Sequence, residues 1–380
     1  MSGISAGAYR WRRIGLALWV GVFAATAALP AYAGGNRHDI ADLKALEQAF
    51  TQLADEVRPH VVAIRCYESR NAGSNKVKIP ISQGSGFIID GNGYIATNNH
   101  VIEDSDSISI ILASGLRYDA ALVQTDPRSD LAVLKIDESD LPPVTFDLDK
   151  KTLVNQWAFA CGNPFGLAFD NDGVPTLTYG VVSALDRDMT QRLAGDSEQH
   201  YYGNLIETSA TINPGSSGGP LFDIEGNVIG VVTAIETTSG VSEGHGYAIP
   251  ITRNTLRVLN TLKTGKRVEY GFLGVRVKNV DPPVSRRVAK MTDALGAKIE
   301  RVTISNGPAA VAGLRSGDVV IEFDGTPVRD SDHLVRLVQF TPVGHTVPLK
   351  FVRQSVKHAT TVTLGNREKL LEVAIKAEQH

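Results

Sequence analysis

Ser217 lies in Asn213-Pro214-Gly215-Ser216-Ser217-Gly218-Gly219-Pro220-Leu221, a serine set among glycines just before a run, Asn227 to Ile235, that reads as a buried strand. A serine hydroxyl is a poor nucleophile at neutral pH, so it needs a base beside it and donors facing the oxyanion it creates. Flanking glycines let backbone N–H groups turn toward one point and let a substrate carbonyl approach without meeting a Cβ. Ser-Gly-Gly also occurs in ordinary turns and linkers. The chemistry therefore depends on a base and an acid elsewhere in the chain.

The candidate base is His100, one of nine histidines, in Gly93-Tyr94-Ile95-Ala96-Thr97-Asn98-Asn99-His100-Val101-Ile102. The apolar and β-branched residues before it predict a strand whose end carries the imidazole. The candidate acid is Asp130, which opens the apolar run Leu131 to Ile136, where a carboxylate is partly buried and can fix the imidazole tautomer. Asp126 competes with it, but it precedes Pro127 and reads as a turn starter. The order His, Asp, Ser is that of chymotrypsin-type proteases. Gly215-Ser216-Ser217-Gly218-Gly219 also fits a G-x-S-x-G elbow. An elbow serine is followed by its acid and then its histidine on alternating strands and helices, and the residues after Ser217 lack that alternation.

Gly84-Ser85-Gly86-Phe87-Ile88-Ile89, Thr97 to Ile102, Asp130 to Ile136, Gly162-Asn163-Pro164-Phe165-Gly166 and Ile212 to Leu221 occur in one order. Together they resemble the HtrA/Deg-type serine proteases, from about Val57 to Pro250. The resemblance implies that His100 is the general base, Asp130 its orienting acid and Ser217 the nucleophile, with an oxyanion hole from the N–H groups of Gly215 and Ser217. The chain departs from the family pattern twice. Ser216 stands where the family usually has asparagine, and Thr208-Ser209-Ala210 stands for Thr-Asp-Ala.

Those side chains need a scaffold. Val61 to Tyr67, Gly86 to Asp90, Tyr94 to Thr97, Ser107 to Leu112, Ala120 to Gln124 and Leu131 to Ile136 form a first set of predicted strands. Trp157 to Cys161, Leu177 to Ala184, Leu205 to Thr208, Val228 to Ile235 and Tyr247 to Ile249 belong to a second. Their density predicts a mainly β protein, barrel or sandwich. The resemblance narrows this to a chymotrypsin-like pair of six-stranded barrels spanning 60–265, with the site in the cleft between them. Asp186 to Asn204 is polar and without periodicity, and reads as a loop; the family implies that loops here respond to activating signals. Upstream, Leu43, Leu46, Phe50, Leu53 and Val57 mark an amphipathic helix over Asp42 to Arg58, ended by Pro59. In the family such N-terminal segments help hold a homotrimer together.

A helix over Arg253 to Lys263 leads to a boundary at Thr264-Gly265-Lys266-Arg267. Beyond it, Tyr270-Gly271-Phe272-Leu273-Gly274-Val275, Gly307 to Val320, a strand-turn-strand over Ile321 to Val328, and a helix over Ser331 to Phe340 resemble one PDZ domain (267–368), leaving 369–380 as a tail. By that resemblance the Leu273, Gly274 and Val275 loop presents N–H groups to a peptide C-terminal carboxylate, and the next strand accepts the peptide as an added strand.

The 380 residues, 43% hydrophobic and 21% charged, suit two globular domains plus short extras. A net charge of -3 gives no electrostatic case for nucleic-acid binding. Arg10, Arg12 and Arg13 precede the apolar run Ile14 to Leu29, and Pro30-Ala31-Tyr32-Ala33 ends in an A-x-A pattern. Residues 1–33 read as a signal peptide cleaved before Gly34, with 34–59 as an N-terminal segment and the periplasm as destination. The alternative is a retained inner-membrane anchor facing the periplasm, for which the run is short. The two cysteines, Cys66 and Cys161, sit on strand-like segments and are either two buried thiols or one disulfide. No spacing suggests a metal or haem site, and no cofactor is expected.

The expected function is a serine endopeptidase cleaving misfolded or damaged polypeptides in the periplasm, with peptide C-termini bound at the PDZ domain. The alternatives are a chaperone-like binder of unfolded chains and a regulatory protease with one dedicated substrate. Thr211, Ile212, Ala234 and Ile235 are expected to line the primary pocket and to favour small or medium apolar side chains.

Overall fold

The computed structural model describes residues 37–72, 75–192, 199–233, 245–280, 296–367, 369, 370 and 372. The signal-peptide expectation therefore falls outside the described residues. The chain divides into two units, 1–50 and 51–380. A helix, α1, runs Arg37–Val57, starting earlier than the periodicity predicts and stopping just before Pro59. In the first unit it presents Ile40, Leu43 and Leu46 to solvent. In the second, its last turn buries Leu53, Ala54 and Val57.

Twelve strands follow among the described residues, forming two barrels. Val61–Ala72 (β1), Asn75–Ile88 (β2), Tyr94–Thr97 (β3), Ser107–Leu112 (β4), Arg117–Asp126 (β5) and Leu131–Lys135 (β6) close a barrel in the order β1-β2-β3-β6-β5-β4. Trp157–Gly162 (β7), Thr176–Arg192 (β8), Gln199–Thr208 (β9), Pro220–Phe222 (β10), Val228–Thr233 (β11) and Gly246–Pro250 (β12) close a second, in the order β10-β11-β12-β9-β8-β7. The first core follows from period-two alternation: Val62, Ile64 and Cys66 of β1 point inward with Ile95, Ile110 and Leu134. Burying each branched side chain there contributes roughly 1.5–3 kcal/mol. The second core is built from smaller residues, among them Ala158, Ala160, Val182, Ile206, Leu221, Val232 and Ala248.

Two sequence expectations change. β10, only three residues long, is not marked by any run of its own. The polar stretch from Asp186 to Asn204 is an extension of the β8–β9 hairpin where described, with Arg187 opposite Leu205 and Arg192 opposite Gln199. Three register shifts interrupt that hairpin, which hides its alternation from a periodicity search. The two cysteines are free and buried, not bridged.

The helix Arg253–Lys263 has the predicted bounds. Thr252 caps it by accepting a hydrogen bond from the Thr255 N–H, and Val258, Leu259 and Leu262 are buried. A C-terminal domain follows. Val275–Asn279 (β14), Ala297–Val302 (β15), Val319–Phe323 (β16), Thr346–Arg353 (β18) and Val356–Thr363 (β19) form a sheet in the order β14-β15-β16-β18-β19, with Thr326–Pro327 (β17) on β16. Gly271–Phe272 (β13) pairs separately with Gly365–Asn366 (β20). The helix Ser331–Phe340 again matches its expectation, capped by the Asp330 carboxylate accepting from the His333 N–H at 2.7 Å. Asp318, just before β16, has a clear role. The Asp318 side chain is buried and takes a bidentate fork from Arg353 at 2.7 and 2.8 Å, plus the Arg315 N–H at 2.7 Å.

Candidate active site

His100 does not end a strand as predicted. It sits in a short helical turn, Asn99–Ile102, one step beyond β3. Asp130 occupies the turn before β6 with φ of +54°, a left-handed conformation that aspartate tolerates better than most side chains. The two segments are stitched together. The Asp130 carbonyl accepts from the Asn99 N–H at 3.1 Å and the Asn98 amide at 2.9 Å, and its Oδ1 accepts from the His100 N–H at 3.0 Å. Its Oδ2 lies 2.8 Å from His100 Nδ1. A carboxylate there makes Nδ1 the protonated ring nitrogen and leaves the Nε2 lone pair available. Burial opposes protonation of the ring, but the Asp130 charge, its hydrogen bond and Glu103 outweigh it, so the imidazole pKa lies above its ordinary value. Asp126, the rival carboxylate, accepts from Ser129 and from the Tyr270 hydroxyl instead.

The serine loop folds against this pair. Ser217 is nearly buried, and its carbonyl accepts from the Ser85 N–H at 2.8 Å. A Cβ on Gly84 would stand 2.5 Å from Val101 Cγ1 and 3.1 Å from the Ser217 carbonyl oxygen, so the neighbours of His100 and Ser217 meet across that glycine. Gly218, at φ of +83°, packs so closely on Ser85 and Thr97 that a side chain would collide with both. Gly215 has φ of +95° and leaves no room for a Cβ beside the Asn163 carbonyl. Its own carbonyl accepts from Ser85 Oγ at 2.7 Å, while the Pro214 carbonyl accepts from the Phe165 N–H at 2.7 Å. Because a trans peptide points its N–H opposite its C=O, that last bond turns the Gly215 N–H away from Phe165.

Ser85 is the residue whose role sequence reasoning missed. It is fully buried on β2 of the first barrel, yet it donates two hydrogen bonds to the serine loop of the second. Besides the two donated bonds above, its Oγ accepts from the Asn163 N–H and its carbonyl from Thr97 Oγ1, both at 2.7 Å. The motif Gly84-Ser85-Gly86 was visible, but nothing local says that its hydroxyl reaches a loop 130 residues away. Ser216 Oγ accepts from the Asn213 N–H at 3.4 Å and so closes the turn beneath the loop. Ser209 Oγ accepts from the Val181 N–H at 3.0 Å, anchoring the second departure to β8.

Of the expected pocket residues, Thr211 borders a cavity with Pro164, Phe165, Thr178, Asn213 and Ser216. Ile212 is a correction: its side chain is buried in the core of the second barrel with Ala210, Val232 and Ala248. Ala234 and Ile235 lie outside the described residues. Leu273, Gly274 and Val275 run from β13 into β14, with Gly274 at φ of +79°. The Leu273 and Gly274 carbonyls accept from the Ala309 and Thr303 N–H groups, both at 2.9 Å.

Residues 84–231 match the family of trypsin-like peptidase domains, and residues 271–364 match the PDZ domains. A probable periplasmic serine endoprotease, DegP-like, from Pseudomonas fluorescens is 36% identical over 90% of this chain and 66% of its own. One of the same description from Brucella suis is 39% identical over 75% and 53%. A solved structure, the HtrA-type protease AlgW with decapeptide, superposes with a TM-score of 0.66 at 32% identity, covering 84% of this chain and 98% of that one. The chain belongs to the HtrA-type serine proteases. The serine endoprotease from Yersinia pestis is also similar, with a TM-score of 0.57 at 28% identity, over 83% of this chain and 97% of that one. This HtrA-type chain spans 66% or less of the length of the curated relatives it matches. No helix among its described residues is long and apolar enough to cross a membrane.

Proposed function

We propose that this chain is a serine endopeptidase that cleaves misfolded or damaged polypeptides in the periplasm through an acyl-enzyme. The observation that carries the reading is the His100 Nδ1–Asp130 Oδ2 bond of 2.8 Å, set against a serine loop pinned by Ser85. In this reading His100 Nε2 takes the Ser217 proton as Oγ attacks the scissile carbonyl. Asp130 stabilises the imidazolium, and the Gly215 and Ser217 N–H groups receive the oxyanion. The imidazolium then protonates the leaving amine, and water repeats the sequence to free the acyl group. Leu273, Gly274 and Val275 receive peptide C-termini at the PDZ domain.

Two relatives described as periplasmic support the compartment, and residues 1–33 would be the cleaved export signal. A homotrimer follows from the family; the exposed Ile40, Leu43 and Leu46 of α1 offer apolar surface for assembly. Digestion tests the reading. The protein should degrade a chemically unfolded polypeptide faster than its native form, and Ser217→Ala should degrade neither. Binding of the unfolded chain with no cleavage by the wild type, PDZ ligand peptides included, would overturn it in favour of a binder. Cleavage of one native protein with the unfolded panel untouched would point to a dedicated regulatory substrate.

A further inference from the structure

Strand β14 ends the sheet order, so among the described residues one of its edges has no strand partner. Its side chains alternate. Val275 and Val277 pack toward the domain core, while Arg276 and Lys278 stand on the opposite face with side-chain exposures of 67% and 52%. Across the ladder to β15, Arg276 lies directly opposite Arg301, and Lys278 directly opposite Lys298. Like charges placed opposite each other destabilise a sheet. One carboxylate lies between the two β14 cations: Glu300 sits 3.9 Å from Arg276 Nε and 3.4 Å from Lys278 Nζ. Two cations on the open strand thus share one anion, with two further cations opposite them on β15. Lysines on an edge also discourage indiscriminate strand pairing. This edge therefore repels basic strands and retains unspent attraction for an acidic one.

From this we infer that the β14 edge selects peptide C-termini carrying acidic side chains at the penultimate position and two residues before it. The inference rests on the reading of Leu273, Gly274 and Val275 as the carboxylate-receiving loop. A peptide added antiparallel to β14 from that loop alternates its side chains in register with the strand. Its last residue, and the one two before, share the face of Val275, Val277 and the partly buried Leu337. The penultimate residue, and the one two before it, share the face of Arg276 and Lys278. An acidic side chain there gives each cation a partner that Glu300 alone cannot supply, and a lysine adds a further like charge to the cluster.

The test uses the full chain carrying Ser217→Ala, so that peptides are bound but not cut. Three fluorescent peptides share an apolar last residue and differ at the two outward positions: both Glu, both Ala or both Lys. Anisotropy titrations at low salt should rank Glu over Ala over Lys, with Glu about tenfold tighter than Lys. Most of that gap should close in 0.5 M salt, where the screening length is well under ~8 Å. Arg276→Glu with Lys278→Glu should invert the order, and the salt response of the unsubstituted strand answers the question independently of that variant's folding. Equal binding of all three peptides would overturn the inference and leave the loop reading standing. Binding of none would overturn both.

Discussion

Ser85 donates its hydroxyl to Gly215 and its N–H to Ser217, so one side chain from the first barrel sets the attitude of the loop in the second. Removing that hydroxyl leaves the Gly215 carbonyl and the Asn163 N–H unpaired in a buried site and frees the Gly215 peptide to rotate. Ser85→Ala should lower kcat by about 10- to 100-fold with KM little changed, since misplacement of ~1 Å costs on that order. A peptide boronate, which mimics the tetrahedral state, should lose affinity by a similar factor. Loss of stability with kcat intact would make Ser85 purely structural. The raised His100 pKa sets a second expectation at this scale. The general base must be neutral, so kcat/KM should fall as pH drops through a value above 6.5, the ordinary pKa. Asp130→Asn should remove the carboxylate that raises it and cost roughly 10⁴-fold in kcat. A pH–rate profile unchanged by that substitution would contradict the pairing.

At the scale of elements, each barrel is held by inward side chains, and the burial of its thiols is a convenient probe. Burial pushes Cys66 up to about 11 and Cys161 up to about 12, so both stay protonated and shielded at pH 8. Native protein should resist iodoacetamide and take up two adducts only in denaturant, as read by intact mass. Ile64→Ala, in the fully buried core of the first barrel, should cost about 2–5 kcal/mol by denaturant titration. Short apolar strands bounded by turn residues, such as β3 and β4, and helices with caps and stripes, such as Arg253–Lys263 and Ser331–Phe340, were legible in sequence to within a residue. The upper β8–β9 hairpin was not, because its bulges break the period and its residues are polar. Likewise, His100 and Asp130 were legible from their flanking strands, whereas the side-chain direction of Ile212 was decided by the closure of a barrel. Nothing in the local pattern around Ile212 records that closure.

For the molecule as a whole, the peptidase and PDZ domains meet at the turn that carries Asp130. The Tyr270 hydroxyl donates to Asp126, and the Arg128 guanidinium lies 4.8 Å from the centre of the Tyr270 ring. Burial, then the Asp126 charge, drives the phenol pKa upward, which favours the protonated hydroxyl that donates to Asp126. Arg329 adds a bond to Asp186 at 2.9 Å. Tyr270→Phe keeps the ring and removes the hydrogen bond; unfolding free energy should fall by about 1–3 kcal/mol. An unchanged denaturation curve would mean that the junction adds nothing to stability. Peptide hydrolysis by this chain requires Ser217 to be an activated nucleophile, and a peptidyl phosphonate reports that directly. Intact mass should show one adduct per chain, peptide mapping should place it on Ser217, and His100→Ala should slow its formation by several orders of magnitude. Stoichiometric labelling at another residue, or labelling of Ser217→Ala at the wild-type rate, would contradict it.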